Sequence, residues 1–273
     1  MHSELNIILR VMRYFLILSV VLFTGCREED TDCVLPSPVG EWPEFMQTSA
    51  GADIPDTMRL LEDVSRGMTP QQACDTLVDF GIGGFDAHKF RMGDAAAWEA
   101  IKSMVMVGMA TPRGFDDAVE ARVAMRFSQL ASGAALEQTN IVYNFVEEDT
   151  RLNLGAIERN LVAAFGPYSH FEETSFGRGA SFTWVIDDGQ VVLKNAKAAC
   201  TPVEFVGIDQ SDAFDMKNLS PMCDAILKVE AGLNFDQEDR PVTIFVTLTD
   251  NVRTFENRKI DRAAINDLLS TRD

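Results

Sequence analysis

The chain has 273 residues, of which 46% are hydrophobic, and its formal net charge is −18 at pH 7. A chain of this length can bury a full hydrophobic core either as one large domain or as two smaller ones. Nucleic-acid binding depends on Lys and Arg side chains that neutralise phosphates, so the acidic balance argues against a nucleic-acid partner. The plentiful aromatic and β-branched residues favour a folded domain with an acidic surface over a disordered chain.

The first 25 residues have the pattern of a signal peptide. Two arginines precede an apolar run at 14–23, and small residues follow directly before Cys26. A basic segment, an apolar run of about 7–15 residues and small residues at the cleavage site are typical of export signals. The run is too short to span a bilayer, which takes about 20 residues. Residues 1–25 are therefore predicted to be a cleaved signal peptide.

Thr24 and Gly25, directly before Cys26, resemble the lipobox of bacterial lipoproteins. The resemblance implies that the Cys26 sulfur is acylated and that Cys26 becomes the N-terminus of the mature chain. It also implies a lipid anchor in the bacterial cell envelope, with outer-membrane attachment and a domain that faces the periplasm. Ordinary secretion and an uncleaved anchor are the alternatives.

Residues 26–53 are predicted to form a flexible tether between the lipid and the folded domain. They contain three prolines and show no hydrophobic period. A first helix is predicted over 56–67, where Met58, Leu61 and Val64 share one face. The glycine at the end of this segment suits the left-handed position that closes many helices.

The clearest local signal in the mature chain is the helix start at Thr69. Thr69 and Gln72 form the Thr-x-x-Gln pattern of a capping box, and Pro70 occupies the first helical position. Apolar residues then recur at helical spacing as far as Phe80, and Gly81 ends the run. A second helix is therefore predicted here, and similar spacing predicts helices over 154–165 and close to the C-terminus.

Alternating or continuous apolar runs predict a series of strands. The segment 94–110 begins like a helix at Asp94, but the run from Ser103 favours a strand. The segment 119–127 alternates as a strand does, although a helical stripe also fits it. Asp187-Asp188-Gly189 predicts a tight hairpin connection. The remaining predicted strands are 141–145, 181–186, 190–193, 203–208, 225–229 and 242–248.

These elements predict an α+β fold in which short helices pack on an antiparallel sheet. An N-terminal module over 54–150 and a C-terminal module over 151–273 are expected, with a single domain as the alternative. The helix entry Gly67-Met68-Thr69-Pro70 resembles that of SmpA/OmlA-like envelope lipoproteins, whose fold is related to that of β-lactamase-inhibitor-like proteins. The resemblance implies two helices on one face of an antiparallel sheet and a non-catalytic role in binding other envelope proteins.

The four cysteines other than Cys26 are an even number in a chain with an export signal, which suggests disulfides. Cys200 and Cys223 are the nearest pair in sequence and are predicted to be bonded, which leaves Cys33 to pair with Cys74. A buried, unpaired Cys74 is the alternative.

Residues that could carry catalysis are sparse in the mature chain. His88 and His170 lie far apart in sequence, and each has acidic neighbours that could help to bind a metal, but exposed loop residues explain them more simply. Ser181 lacks the closing glycine of a nucleophile elbow and is expected to begin a strand. The glycines at 81–84 follow a helix and are expected to form its cap and a loop, because a phosphate cradle leads into a helix.

The other chemical signals are also weak. Acid clusters near 116, 209–215 and 236–239 lack the ligand spacing of a calcium loop. Trp184 is expected to lie in the core, and Trp42 to pack against the domain. The sequence thus predicts no catalytic residue, metal site or cofactor. It predicts a membrane-anchored protein that binds another envelope protein or has a structural role. The alternative is a periplasmic hydrolase whose carboxylate or metal site is assembled from dispersed residues.

Overall fold

The structure of the chain is a computed structural model, and it describes nine segments. They are residues 49–61, 63–79, 83–90, 103–110, 119–146, 151–173, 179–193, 223–234 and 237–270. The described residues all belong to one compact unit. The predicted signal peptide, Cys26, the helix start at Asp94 and the predicted strand at 203–208 lie outside them. Within these segments no helix is both long enough and apolar enough to cross a membrane.

Nine strands and three α-helices are formed by the described residues. The strands are β1 (Gly83–Phe90), β2 (Ser103–Ala110), β3 (Val119–Phe127), β4 (Leu136–Phe145), β5 (His170–Glu173), β6 (Gly179–Asp187), β7 (Gln190–Val191), β8 (Ala225–Asn234) and β9 (Gln237–Asp250). The helices are α1 (Pro70–Asp79), α2 (Leu154–Phe165) and α3 (Asn251–Ser270). Short 3₁₀ turns occur at Asp56–Met58 and Leu130–Ser132.

All nine strands belong to one antiparallel sheet in the order β1-β2-β3-β4-β9-β8-β6-β5, and β7 also pairs with β6. The predicted antiparallel sheet with a few helices is therefore confirmed. The expected module boundary at residue 150 falls between β4 and α2. Strands from both sides of this boundary pair directly, for example at Ile141 of β4 and Val246 of β9. The two expected modules thus share one sheet.

One face of the sheet carries the main hydrophobic core. Val246, Val229 and Phe182 lie directly across from one another on β9, β8 and β6, and all three are buried. Ile157 of α2 packs into this cluster, as does Met58 of the first 3₁₀ turn. Burial of an apolar side chain of this size stabilises the fold by about 1.5–3 kcal/mol, so this face holds much of the stability.

The opposite face of β4 and β9 is polar. The Asn140 amide donates to the Thr247 hydroxyl at 2.6 Å, and the Gln138 amide donates to the Thr249 hydroxyl at 2.8 Å. Phe245 on the same face is 40% exposed. Because successive side chains of a strand point to opposite faces, the alternation in the sequence matches a sheet with one apolar and one polar face.

The helix start at Thr69 is formed as predicted. The Gln72 backbone N–H donates to Thr69 Oγ1 at 3.3 Å, and the Thr69 backbone N–H donates to Gln72 Oε1 at 2.9 Å. These reciprocal hydrogen bonds are those of a capping box, and they satisfy donors that the first helical turn leaves without partners. Helix α1 then begins at Pro70.

Two further local predictions are confirmed. Helix α2 covers the predicted residues, and the Asn153 side chain caps it by accepting from the Ala156 N–H at 2.8 Å. Between β6 and β7, Asp188 and Gly189 both have positive φ, at 49° and 68°. Positive φ at both central residues is what a two-residue type I′ hairpin turn requires.

The predicted helix over 56–67 is wrong. Among the described residues of this segment only a 3₁₀ turn at Asp56–Met58 forms, and Arg59 after it is extended. Polar groups in the rest of the segment form tertiary contacts instead of helical hydrogen bonds. The Gly67 N–H donates to the Leu136 carbonyl at 3.0 Å, and Arg66 forms an ion pair with Asp250. Gly67 does adopt the left-handed conformation, with φ of 80°, but in a turn rather than as a helix cap.

Candidate functional site

Asp250 is the centre of a buried ionic cluster at the junction of β9 and α3. Its carboxylate has no exposed surface and caps α3 by accepting from the Arg253 N–H at 2.9 Å. Both carboxylate oxygens also accept from the Ala52 N–H, each at 3.1 Å. The Asp250 carboxylate therefore connects the end of β9 to α3 and to the segment at 49–52. That segment had been expected to belong to the flexible tether.

Arg253 lies beside this carboxylate and close to two glycines. Its Nε is 3.5 Å from Asp250 Oδ2, and its Nη1 donates to the Ser49 carbonyl at 2.6 Å. A Cβ atom on Gly51 or Gly67 would collide with the Arg253 guanidinium. The absence of side chains at these two positions therefore leaves the space that this cation occupies.

Arg66 is the second cation on Asp250. Its Nη1 lies 3.3 Å from Asp250 Oδ2 and also donates to the Ala52 carbonyl. Burial lowers the pKa of Arg66, and the Asp250 carboxylate opposes this effect. Arginine nevertheless stays charged in proteins, so two guanidinium groups share one buried carboxylate.

A cleft of about 270 Å³ opens beside this ionic cluster. Its apolar wall includes Leu61, Leu136 and Leu248. Three arginines also line it, namely Arg66, Arg253 and Arg59, the last of which pairs with the exposed Asp56 at 2.9 Å. The cleft combines apolar surface with hydrogen-bond donors, and Arg66 and Arg253 among them pair with the buried Asp250; this combination is typical of ligand sites.

A second buried polar cluster lies under α3. The Asn257 amide donates to Glu137 Oε1 at 2.9 Å, and Arg126 Nε is 3.8 Å from Glu137 Oε2. Burial lowers the pKa of Arg126 to about 10. Burial also raises the pKa of Asp261 to about 7, with a further rise from Glu137, while a hydrogen bond from Ser132 opposes the shift.

The two histidines lie at opposite edges of the sheet. His88 is in β1, and His170 is in β5, where its Nε2 is 4.0 Å from Glu172 Oε2. His170 is not among the described residues that line the cleft, and the side chain of His88 lies outside the described parts of the chain. Within the described parts of the chain, no group of three or more His, Cys, Asp or Glu residues is placed to hold a metal ion.

The other candidate residues have mixed outcomes. Ser181 lies in β6 as predicted, and Trp184 is fully buried in the core, where its indole N–H donates to the Gly166 carbonyl at 3.0 Å. Gly83 and Gly84 begin strand β1 instead of forming a loop, so that part of the prediction is wrong. Trp42 and the acid clusters near 116 and 209–215 lie outside the described residues, as do the side chains at 236–239.

Cys74 and Cys223 are completely buried, and the Asn251 amide donates to Cys223 Sγ at 3.0 Å. Cys33 and Cys200 lie outside the described residues. The two disulfide pairings therefore stay predictions.

The sequence did not single out the residues of the cleft as functional, and it named Leu61 and Val64 only as one face of a predicted helix. Asp250, behind the lining, had a local signal, because Asp directly before a helix is a favoured N-cap residue. Arg66 and Arg253 had no local signal, because they are 187 positions apart in the sequence and only the fold brings them together.

Comparison of the chain with protein-family models, curated proteins and solved structures finds no match.

Proposed function

We propose that this chain is a non-catalytic, lipid-anchored protein of the bacterial envelope that binds another envelope protein through the arginine-lined cleft. The observation that carries the proposal is the arrangement of Arg66 and Arg253 around the buried Asp250. Buried ion pairs hold these guanidinium groups in fixed positions next to an apolar wall. Preorganised donors beside apolar surface lower the entropic cost of binding a partner.

The proposed location of the protein in the cell envelope rests on its first 26 residues. An export signal that ends in small residues before Cys26 supports acylation of this cysteine and attachment to a membrane. Outer-membrane attachment facing the periplasm belongs to the same proposal. The resemblance of the helix entry at Gly67-Met68-Thr69-Pro70 to that of SmpA/OmlA-like lipoproteins points to the same location.

A periplasmic hydrolase is the second candidate, and Asp261 is the observation that favours it. A carboxyl group with a pKa of about 7 is suited to general acid–base catalysis. Asp261 is, however, only 2% exposed, and it does not line the cleft. A catalytic carboxyl must reach its substrate, so the geometry supports a structural role for Asp261 and favours binding as the function.

In-cell crosslinking of the full chain tests the binding function. Leu61→Trp places a large ring in the cleft and should abolish crosslinks to a specific envelope protein. Arg122→Gln, at an exposed position of β3, is the matched control and should leave them intact. Equal crosslinking by both variants would exclude the cleft as the binding site.

Metabolic labelling with fatty acid tests the anchor, because Cys26→Ala should lose the label and the membrane association. An activity screen with ester, glycoside and peptide substrates tests the alternative. Turnover that Asp261→Asn abolishes would replace the binding proposal with the hydrolase.

A further inference from the structure

The walls of the cleft separate into an apolar part and a cationic part. Leucine, isoleucine, valine and alanine side chains form the apolar part, and three guanidinium groups supply every formal charge on the lining residues. The complete apolar set is Ala52, Ile54, Leu60, Leu61, Val64, Leu136 and Leu248. Thr139 and Ser65 add hydroxyl groups. A ligand that fits this surface has an apolar body and an anionic or strongly accepting head.

The charged side chains that line the cleft are positive, whereas the net charge of the whole chain is negative. Asp250, buried behind the lining, is shared by Arg66 and Arg253. Arg59 is paired with Asp56 at the exposed rim, and Asp53 also acts on Arg66. Asp53 and Asp56 are exposed, so solvent weakens their attraction for the arginines, whereas Asp250 is shared by two guanidinium groups that are half-buried or buried. The inner end of the cleft therefore carries excess positive charge.

The two inner guanidinium groups also have donor capacity beyond their ion pairs. Each guanidinium carries five N–H donors. The hydrogen bonds formed with the described residues use Nη1 of Arg66 and Nη1 of Arg253. The Nε of Arg253 is buried and faces Asp250 at 3.5 Å, so the donors left for a ligand are on the other guanidinium nitrogens. Carboxylates and phosphates both match the geometry of such groups, and a carboxylate that carries a hydrocarbon tail also covers the apolar wall.

We infer that the cleft binds a small aliphatic carboxylate, with its head group on Arg66 and Arg253 and its hydrocarbon tail against the leucine wall. A volume of about 270 Å³ corresponds to roughly nine water-sized groups. Hexanoate, with six carbons and two oxygens, has this size and chemistry. The inference rests on the proposed function only in taking the cleft as a binding site, and it names the chemical group that the site accepts.

Calorimetric titration of the full chain in non-ionic detergent with hexanoate tests the inference. Hexanol has the same tail without the charge and also reports partition into detergent. Hexanoate should bind at least about tenfold more tightly than hexanol, and the chain should not bind hexylammonium. Inorganic phosphate should bind more weakly than hexanoate because it leaves the apolar wall uncovered.

Variants assign the binding to the cleft. Arg66→Gln should weaken hexanoate binding at least about tenfold, whereas Arg122→Gln should leave it unchanged. If Arg66→Gln fails to fold, Leu61→Trp, which changes no charge, should block hexanoate and serves as the deciding variant. Circular dichroism of each variant establishes that it is folded.

Equal affinity for hexanoate and hexanol, tighter binding of phosphate, or no hexanoate binding at millimolar concentration would overturn the inference. These outcomes leave the proposed function standing if the wild-type chain still crosslinks to a partner that Leu61→Trp loses. Conversely, hexanoate binding without any crosslinked partner would support the inference and contradict the binding of an envelope protein.

Discussion

At the scale of single residues, the carboxylate of Asp250 has the largest predicted effect on stability. Asp250→Asn keeps the shape of an N-cap side chain but removes the charge that compensates the buried Arg66 and Arg253. Loss of one partner from a buried ion pair costs about 3–5 kcal/mol, so the free energy of unfolding should fall by this amount. Denaturant titration of the full chain measures it.

Asp56→Asn is the control for this prediction because it removes a carboxylate from an exposed pair with Arg59. Exposed pairs contribute under about 1 kcal/mol, so this variant should unfold close to the wild type. A similar small loss for Asp250→Asn would show that the buried cluster does not hold the N-terminal segment to α3.

The raised pKa of Asp261 predicts how the free energy of unfolding depends on pH. Its folded pKa of about 7 lies above its ordinary value of 3.8, so the folded state holds this proton more tightly than the unfolded state. Its contribution to stability is thus complete below about pH 4, declines as pH rises, and is lost above about pH 7. The shift corresponds to a loss of about 4 kcal/mol across this window.

Asp261→Asn cannot ionise and should abolish most of this dependence. Denaturant melts at pH 5, 6, 7 and 8 should show a falling free energy of unfolding for the wild type and a flatter profile for the variant. Asp267→Asn, at an exposed position of the same helix, should follow the wild type. Parallel profiles for all three proteins would contradict the proposed burial of a protonated Asp261.

At the scale of elements, the capping box makes α1 sensitive to one hydroxyl. Thr69→Ala removes the acceptor for the Gln72 N–H and should lower the free energy of unfolding by about 1 kcal/mol. Thr76→Ala in the same helix is the control, since Thr76 only donates back to the Gln72 carbonyl and alanine has the higher helix propensity. Equal denaturation midpoints for the two variants would refute the role of the cap.

Some elements are determined by their own residues, and others depend on tertiary contacts. The capping box of α1 and the Asp188-Gly189 turn act within a few residues, and both could be predicted. The segment 59–67 has helical spacing but forms tertiary hydrogen bonds to Leu136 and Asp250 instead. A short helix gains little from propensity alone, so such contacts readily displace it.

At the scale of the whole molecule, the pairing of the cysteines is the main covalent prediction. Cys200 is predicted to bond to Cys223, and Cys33 to Cys74. Peptide mapping under non-reducing conditions should recover these two linked pairs and no others. Recovery of Cys74 linked to Cys223, the two buried cysteines of the described residues, would contradict both pairings.

The sequence by itself determined those features whose physical causes are local: the alternation of β3, the capped start of α1, the extent of α2, and the tight turn between β6 and β7. It also indicated an antiparallel sheet, because half-buried strands alternate in polarity. Only the tertiary structure decided that β4 pairs with β9 and that Arg66, Arg253 and Asp250 meet. A buried charge is stable only when a partner compensates it, and the spacing of residues in the sequence does not show which distant residues become partners.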